Sequence, residues 1–198
     1  MIREYSALAH SPLKPGAGFV RPRQQLPERV GFGDPAIAVM TDLHKVSVVS
    51  VRSRTPLDKA NERMIHYGVR LLVVLDDNDL VMGLLTANDV LGEKPVCHLQ
   101  TMGGTHADIL ARDIMTPQRD IETLAIDAVR SAKVGHIVAS LKQTGRQHAL
   151  VVEEDQAGRQ ALCGLFSLTQ IARQLGVPTH GFDVKRLFAD IDAFLSHS

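Results

Sequence analysis

The sequence of 198 residues has no surplus of charge, since 22 lysines and arginines balance 22 aspartates and glutamates. Without a basic field or a long basic run, nothing indicates a general attraction for nucleic acid or for a membrane surface. Cysteine is scarce. Cys97 and Cys163 lie far apart, fit no disulfide framework and suit a reducing compartment. No apolar run approaches the roughly 18 residues of a membrane span, and the N-terminal stretch holds none of signal-peptide kind. A soluble, cytoplasmic chain is expected. No Ser/His/Asp or Cys/His arrangement stands in a motif context that supports nucleophilic catalysis, so the chain is read as a non-enzyme.

What the sequence does contain is a repeat. Gly83-Leu84-Leu85-Thr86-Ala87-Asn88-Asp89 returns in altered form as Gly164-Leu165-Phe166-Ser167-Leu168-Thr169-Gln170. Met40-Thr41 returns as Met115-Thr116, and Val73-Val74 as Val151-Val152. Each copy reads as strand, helix, strand, strand, helix. In the first copy, residues 46–51 are rich in β-branched residues and read as a strand. Pro56 opens a helix at its favoured first position, with Leu57, Ala60, Met64 and Ile65 on one face and Gly68 as its stop. Residues 69–75 and 80–85 follow as strands about an Asp76-Asp77-Asn78-Asp79 turn, and Thr86 opens the closing helix. The second copy gives a strand near 121–124, a helix over 134–143, strands over 148–152 and 161–166, and a helix from Ser167 to about Leu175. One such unit is too small to bury both faces of its sheet, so two should pack together with clefts at the joint.

The Met-Thr entries, the Gly-Val-Arg-Leu-Leu-Val-Val and Gln-His-Ala-Leu-Val-Val strands and the glycine-to-carboxylate ending together resemble a cystathionine-β-synthase-type (CBS) domain pair, or Bateman module, over residues 36–176. The resemblance implies an α+β fold of two pseudo-symmetric strand-helix-strand-strand-helix units packed through their sheets. Residues 1–33 would be an irregular N-terminal arm, 34–92 and 113–176 the two units, 93–112 a connecting loop and helix start, and 177–198 a C-terminal amphipathic helix. It further implies a stand-alone regulatory protein that binds an adenosine-containing ligand in the cleft between units, forms a homodimer and signals to a client protein. AMP, ADP or ATP is the ligand expected, ahead of S-adenosylmethionine or NAD. The alternative is a structural or interaction dimer whose nucleotide sites have decayed.

Carried onto matching positions, the resemblance assigns the intact site to Arg70, Leu84, Thr86, Asn88, Asp89, Thr116, Ile121 and Gln147. The chemistry of these residues suits that use. Gly83 admits close approach of a ligand, Leu84 offers an apolar wall to a purine, and Thr86 with the N–H groups behind it can meet phosphate. Asp89 can accept two hydrogen bonds from a ribose diol, and Arg70 can face phosphate as a fixed cation. Both Thr-x-x-Asp and Ser-x-x-Gln also match a capping box. For Ser167 and Gln170 capping is the better account; for Asp89, a shorter and less apt capping residue, ligand binding is. The altered site, with Thr41 and Ser167 around Gln170, should be weak or empty.

Three segments lie outside the repeat. Residues 1–33, with four prolines and several glycines, read as a loosely docked tail or an arm that crosses to another subunit. Residues 92–112 contain Cys97, His98, Met102, His106 and Asp108, yet match no usual zinc pattern. They read as a surface loop leading into a helix near 107–112. From Asp183, a plausible N-cap, Val184, Leu187, Phe188, Ile191, Phe194 and Leu195 recur on one helical face. The module itself is the expected cover for that stripe, ahead of a dimer mate or client.

Overall fold

A computed structural model describes residues 12, 14–15, 24–177 and 184–196 of the chain. The first copy contributes β1 (Thr41–Asp42), β2 (Ser50–Arg52), α1 (Leu57–Tyr67), β3 (Leu71–Leu75), β4 (Val81–Thr86) and α2 (Ala87–Leu91). The connection holds α3 (Lys94–Met102) and α4 (Ala111–Ile114). The second copy contributes β5 (Thr116–Pro117), β6 (Thr123–Ala125), α5 (Ile126–Ser131), α6 (Val134–Thr144), β7 (His148–Glu154), β8 (Gln160–Ser167) and α7 (Leu168–Leu175), and α8 (Val184–Ser196) follows.

The fold is α+β, with two sheets of four strands, ordered β2-β3-β4-β5 and β1-β8-β7-β6. In each, the first strand of the repeat runs parallel to the second, and the second pairs with the third in antiparallel sense. The register slips just after the residue opposite each motif glycine, Val74 opposite Gly83 and Val151 opposite Gly164, so Val74 matches Val151 and not Val152 as the sequence pairing had it. The short entry strands change places. β1 pairs with β8 of the second unit, and β5 pairs with β4 of the first. Each sheet is therefore completed by the other copy's Met-Thr segment.

Side-chain alternation along β3 explains its unbroken apolar run, because both faces are covered. Leu72 and Val74 face the first unit's helices, together with Leu57, Ala60, Ile109 and Ile114. Leu71 and Val73 face the opposite sheet, in a seam shared with Leu84 and Leu150. A larger core fills the second unit, where Phe166, Ile171 and Leu141 meet Ala36, Val39 and Met40 from the chain's entry and Leu187, Phe188 and Ile191 from α8.

Several elements depart from expectation. The first strand begins at Ser50 rather than Val46, because Lys45 and Val46 donate back to the Asp42 carbonyl in a turn. Pro56 is the N-cap of α1, not its first helical residue, while Gly68 ends the helix in the left-handed region as expected. Ile65 is 73% exposed, since it lies one residue beyond Met64 and the buried stripe of 57, 60 and 64 turns away from it. The strand placed near 121–124 spans Thr123–Ala125, preceded by a 3-10 turn and joined to a helix α5 that the sequence reading lacked. Residues 92–112 are not a plain loop. They carry α3, which lies against α2 and α4, and the helix expected near 107–112 is split into a 3-10 turn at His106–Asp108 and α4. Asp183 lies outside the described residues. The α8 stripe is covered by the second unit at Leu187, Phe188 and Ile191, whereas Phe194 is exposed.

The arm is docked over residues 24–33. Val30 donates to the Gln174 carbonyl, the Phe32 carbonyl accepts from Gly135, and Val30 and Phe32 pack on the second unit's core. No described helix is long and apolar enough to cross a membrane.

Candidate functional site

Gly83 and Gly164 owe their place to the chain's own entry segments. A Cβ on Gly83 would lie 2.4 Å from the Thr116 carbonyl oxygen and 2.8 Å from the Met115 sulfur; one on Gly164 would lie 2.4 Å from the Met40 sulfur. What approaches the glycine is the opposite copy's entry strand, rather than the ligand anticipated from sequence. Because β5 is held there, Thr116 stands opposite Leu84 in the ladder, and a cavity opens beside the pair.

That cavity has a volume of about 250 Å³ and draws on both units. Leu84, Thr86, Asn88, Asp89, Thr116 and Gln147 line it, six of the eight residues assigned from sequence. Arg70 stands at its margin, where Nη2 donates to Asn88 Oδ1 at 3.3 Å. Ile121 is elsewhere: it packs in the seam between the sheets and lines a separate groove of about 610 Å³ with Leu80, Leu150 and Leu162. The 3-10 turn at Gln118–Asp120 carries the chain away from the cavity before Ile121 is reached.

The sequence reading missed Leu71, Arg146, His148 and Val184, all of which line the cavity. The repeat held a signal for three of them. Gly68 and Gly145 are matching helix stops, and the carbonyls of Arg70 and Gln147 accept the same bond, from Ala87 and Leu168 respectively. The cavity takes Leu71 from the segment after the first stop, beside its own unit's motif, and Arg146 and His148 from the segment after the second. Val184 belongs to α8, outside the repeat.

Both carboxylate oxygens of Asp89 have partners within the chain. Its Oδ2 accepts from the Thr86 amide at 2.8 Å and from the Thr86 hydroxyl at 2.7 Å, and the Thr86 hydroxyl accepts from the Asp89 amide at 3.2 Å. Its Oδ1 lies 2.6 Å from Lys94 Nζ, and that ammonium also donates to the Ile114 carbonyl at 3.2 Å. This is a complete capping box. Ser167, by contrast, makes no side-chain cap bond, and Gln170 turns its amide to Gln174. The expected division of roles is reversed: the motif ending in aspartate caps its helix, and the one ending in glutamine does not. Glutamine has the longer reach, and the buried Gln174 one turn on offers it a partner. The amides of Thr86, Ala87 and Asp89 are all spent inside the fold.

His148 presents a neutral imidazole. Burial, reinforced by the charge of Arg70, pushes it down to about 4. The cavity wall is thus three apolar side chains, Leu71, Leu84 and Val184, beside one carboxylate, one neutral imidazole, two carboxamides, two hydroxyls and the guanidinium of Arg146. Arg146 is oriented by its bond to the Asp120 carbonyl. Such a mixture fits a planar, partly apolar ligand with hydroxyl and anionic groups. Among the described residues no group of three His, Cys, Asp or Glu side chains could hold a metal ion.

Residues 37–95 match the family model of the CBS domain. No curated protein matches the sequence. Among solved structures, an uncharacterized conserved protein from Pyrococcus horikoshii is similar with a TM-score of 0.53 and 20% identity, over 77% of this chain and 100% of that one. CBSX2 of Arabidopsis thaliana, solved in complex with AMP, is similar with a TM-score of 0.50 and 23% identity, over 71% of this chain and 95% of its own. The CBS domain of a bacterial CNNM/CorC family Mg2+ transporter is similar with a TM-score of 0.50 and 15% identity, over 75% of this chain and 79% of that one. At these identities the likeness is one of fold, and the fold is that of a tandem CBS-domain pair.

Proposed function

We propose that this tandem CBS-domain chain is a regulatory protein that binds an adenine mononucleotide in the cavity between its units and signals its presence to a partner protein. The observation that carries the reading is the convergence of Leu84, Thr86, Asn88 and Asp89 from one unit with Thr116, Gln147 and His148 from the other. The AMP in the CBSX2 complex supports the ligand class. The volume, about 250 Å³, sits near the lower end of small-molecule sites, which begin at roughly 300 Å³. That favours AMP over a dinucleotide such as NAD.

In this reading Leu71 and Leu84 flank the purine, Asp89 accepts from the ribose through lone pairs its cap leaves open, and Arg146 with Arg70 faces the phosphate. Lys94 moves aside or turns to the phosphate. Signalling follows from differential affinity: a ligand touching both units favours the arrangement in which they close on it, and the partner, or the mate in a homodimer, reads that arrangement.

Calorimetric titration with AMP, ADP, ATP, NAD and S-adenosylmethionine tests the proposal. One molecule of AMP per chain is expected, with Asp89→Asn weakening it roughly tenfold or more through loss of a charge-assisted bond. Lost capping in that variant costs about 1 kcal/mol of stability, which thermal unfolding measures separately. Binding of none of the five, or an affinity unmoved by Asp89→Asn, sinks the sensor. A second reading, an interaction module without a working nucleotide site, draws on the saturation of Asp89 by Thr86 and Lys94 and is the outcome left standing in that case.

A further inference from the structure

The repeat places Thr41 where Thr116 stands in the first cavity, at the entry of the altered cleft. There the outer edge of β1 is already taken. Gln24 Nε2 donates to the Met40 carbonyl at 2.8 Å, and Gln24 Oε1 accepts from the Asp42 amide at 2.7 Å. One side-chain carboxamide thus satisfies an acceptor and a donor two residues apart, as a neighbouring strand would. β5, the matching entry strand beside the first cavity, has no such pair to offer, because the position matching Asp42 is Pro117, which has no N–H.

A second anchor starts from the altered residue itself. Gln170 Nε2 points to Gln174 Oε1 at 3.4 Å, and Gln174 Nε2 donates to the Pro27 carbonyl at 2.7 Å. Gln174 is only 4% exposed, and its own carbonyl accepts from the Val30 amide at 3.0 Å. The residue standing in place of a ribose-binding carboxylate is thereby the start of a relay that ends on the arm. A glutamine donates along this relay where an aspartate cannot. Downstream, Phe32 and Asp34 accept from Gly135 and Val134, so the arm is fixed at both ends.

We propose that the second, altered cleft is a peptide-docking site whose occupant is the chain's own residues 24–33, inserted through Gln24 and held by the Gln170–Gln174 relay. The first copy takes a small ligand; the second takes a segment of its own chain. The docking does not depend on nucleotide, so the nucleotide reading of the first cleft and this one fail independently.

Full-length Gln24→Ala, Gln24→Glu and Gln170→Glu chains test it by amide hydrogen exchange and by tryptic cleavage after Arg29, without added ligand. Gln24→Ala removes both bonds, and Gln24→Glu turns an acceptor on the Met40 carbonyl. Gln170→Glu forces the Gln174 amide to turn round and present its oxygen to Pro27. Exchange at Asp42 and Val30 should quicken roughly five- to tenfold in the Gln24 variants, and at Val30 in Gln170→Glu. Cleavage after Arg29 should rise with it, while Val151 in β7 stays protected. Unchanged exchange at Asp42 in Gln24→Ala overturns the proposal. So does faster exchange at Asp42 with Val30 and Arg29 unmoved, since Gln24 would then be a local contact and not an anchor. Wild-type exchange at Val30 in Gln170→Glu removes Gln170 from the relay and overturns that part.

Discussion

A Cβ added to Gly83 meets a backbone oxygen, while one added to Gly164 meets the end of a methionine side chain. The first obstacle is held in a sheet ladder and cannot yield without moving β5; the second can rotate away. Gly83→Ala should therefore cost about 1–3 kcal/mol, and Gly164→Ala distinctly less, as measured by urea unfolding of the two variants. Equal losses would show that Met40 is as confined as the Thr116 carbonyl. The duplicated glycine was legible in sequence, but its cause was not, because the strand that demands it comes from the opposite copy. Asp89 teaches the same lesson. Its pattern fitted both a cap and a ligand site, and Lys94, five residues on, adds an ion pair that no repeat comparison could supply, since Leu175 stands at the matching place.

Elements whose periodicity was strong came through with their type and order intact, and their errors lie where a neighbour decides the outcome. In α1 the sequence stripe included Ile65, but only Leu57, Ala60 and Met64 are buried, since the helix meets its sheet along one narrow line. In α8 the stripe holds over Leu187, Phe188 and Ile191, all buried in the second unit's core. Ile191→Ala should cost about 2–5 kcal/mol for the lost side chain and the cavity it leaves, whereas Ile65→Ala should stay within about 0.5 kcal/mol. Denaturant midpoints of the two variants check this, and a small loss at Ile191 would mean that α8 packs only loosely. The helix α3 escaped notice because Lys94-Pro95 at its start and Gly103-Gly104 after it read as loop punctuation. Yet proline is tolerated in a first helical turn.

At the scale of the whole molecule, the joint between units holds a titratable group with a large shift. His148 of the second unit is half-buried near Arg70 of the first and stays neutral down to about pH 4. An unfolded chain would take up its proton near pH 6.5. Because the folded value is depressed, this histidine's stabilising contribution is present above pH 6.5 and is lost as pH falls from 6.5 toward 4. The loss amounts to about 2–3 kcal/mol at the lower limit. Thermal unfolding across that range should show the decline, and His148→Leu should flatten it; a decline of equal size in the variant would assign it to other groups. The pairing of two units was legible from the repeat, as was most of the cavity. The position of Ile121 was not, because a single 3-10 turn sets which way the chain leaves β5.

The exchange of entry strands bears on how the chain comes off the ribosome. The first unit's sheet lacks its fourth strand until Thr116 and Pro117 have been made, and β1 has no ladder partner until Gly164 and Leu165 emerge. The first half cannot close its sheet until the second has begun, and the second cannot close its own without β1 from the first. The nascent chain must carry the apolar faces of β3 and β4 unsealed for many residues of translation. Closing two long-range ladders late makes folding slow, and such an exposed intermediate is the kind that chaperones attend.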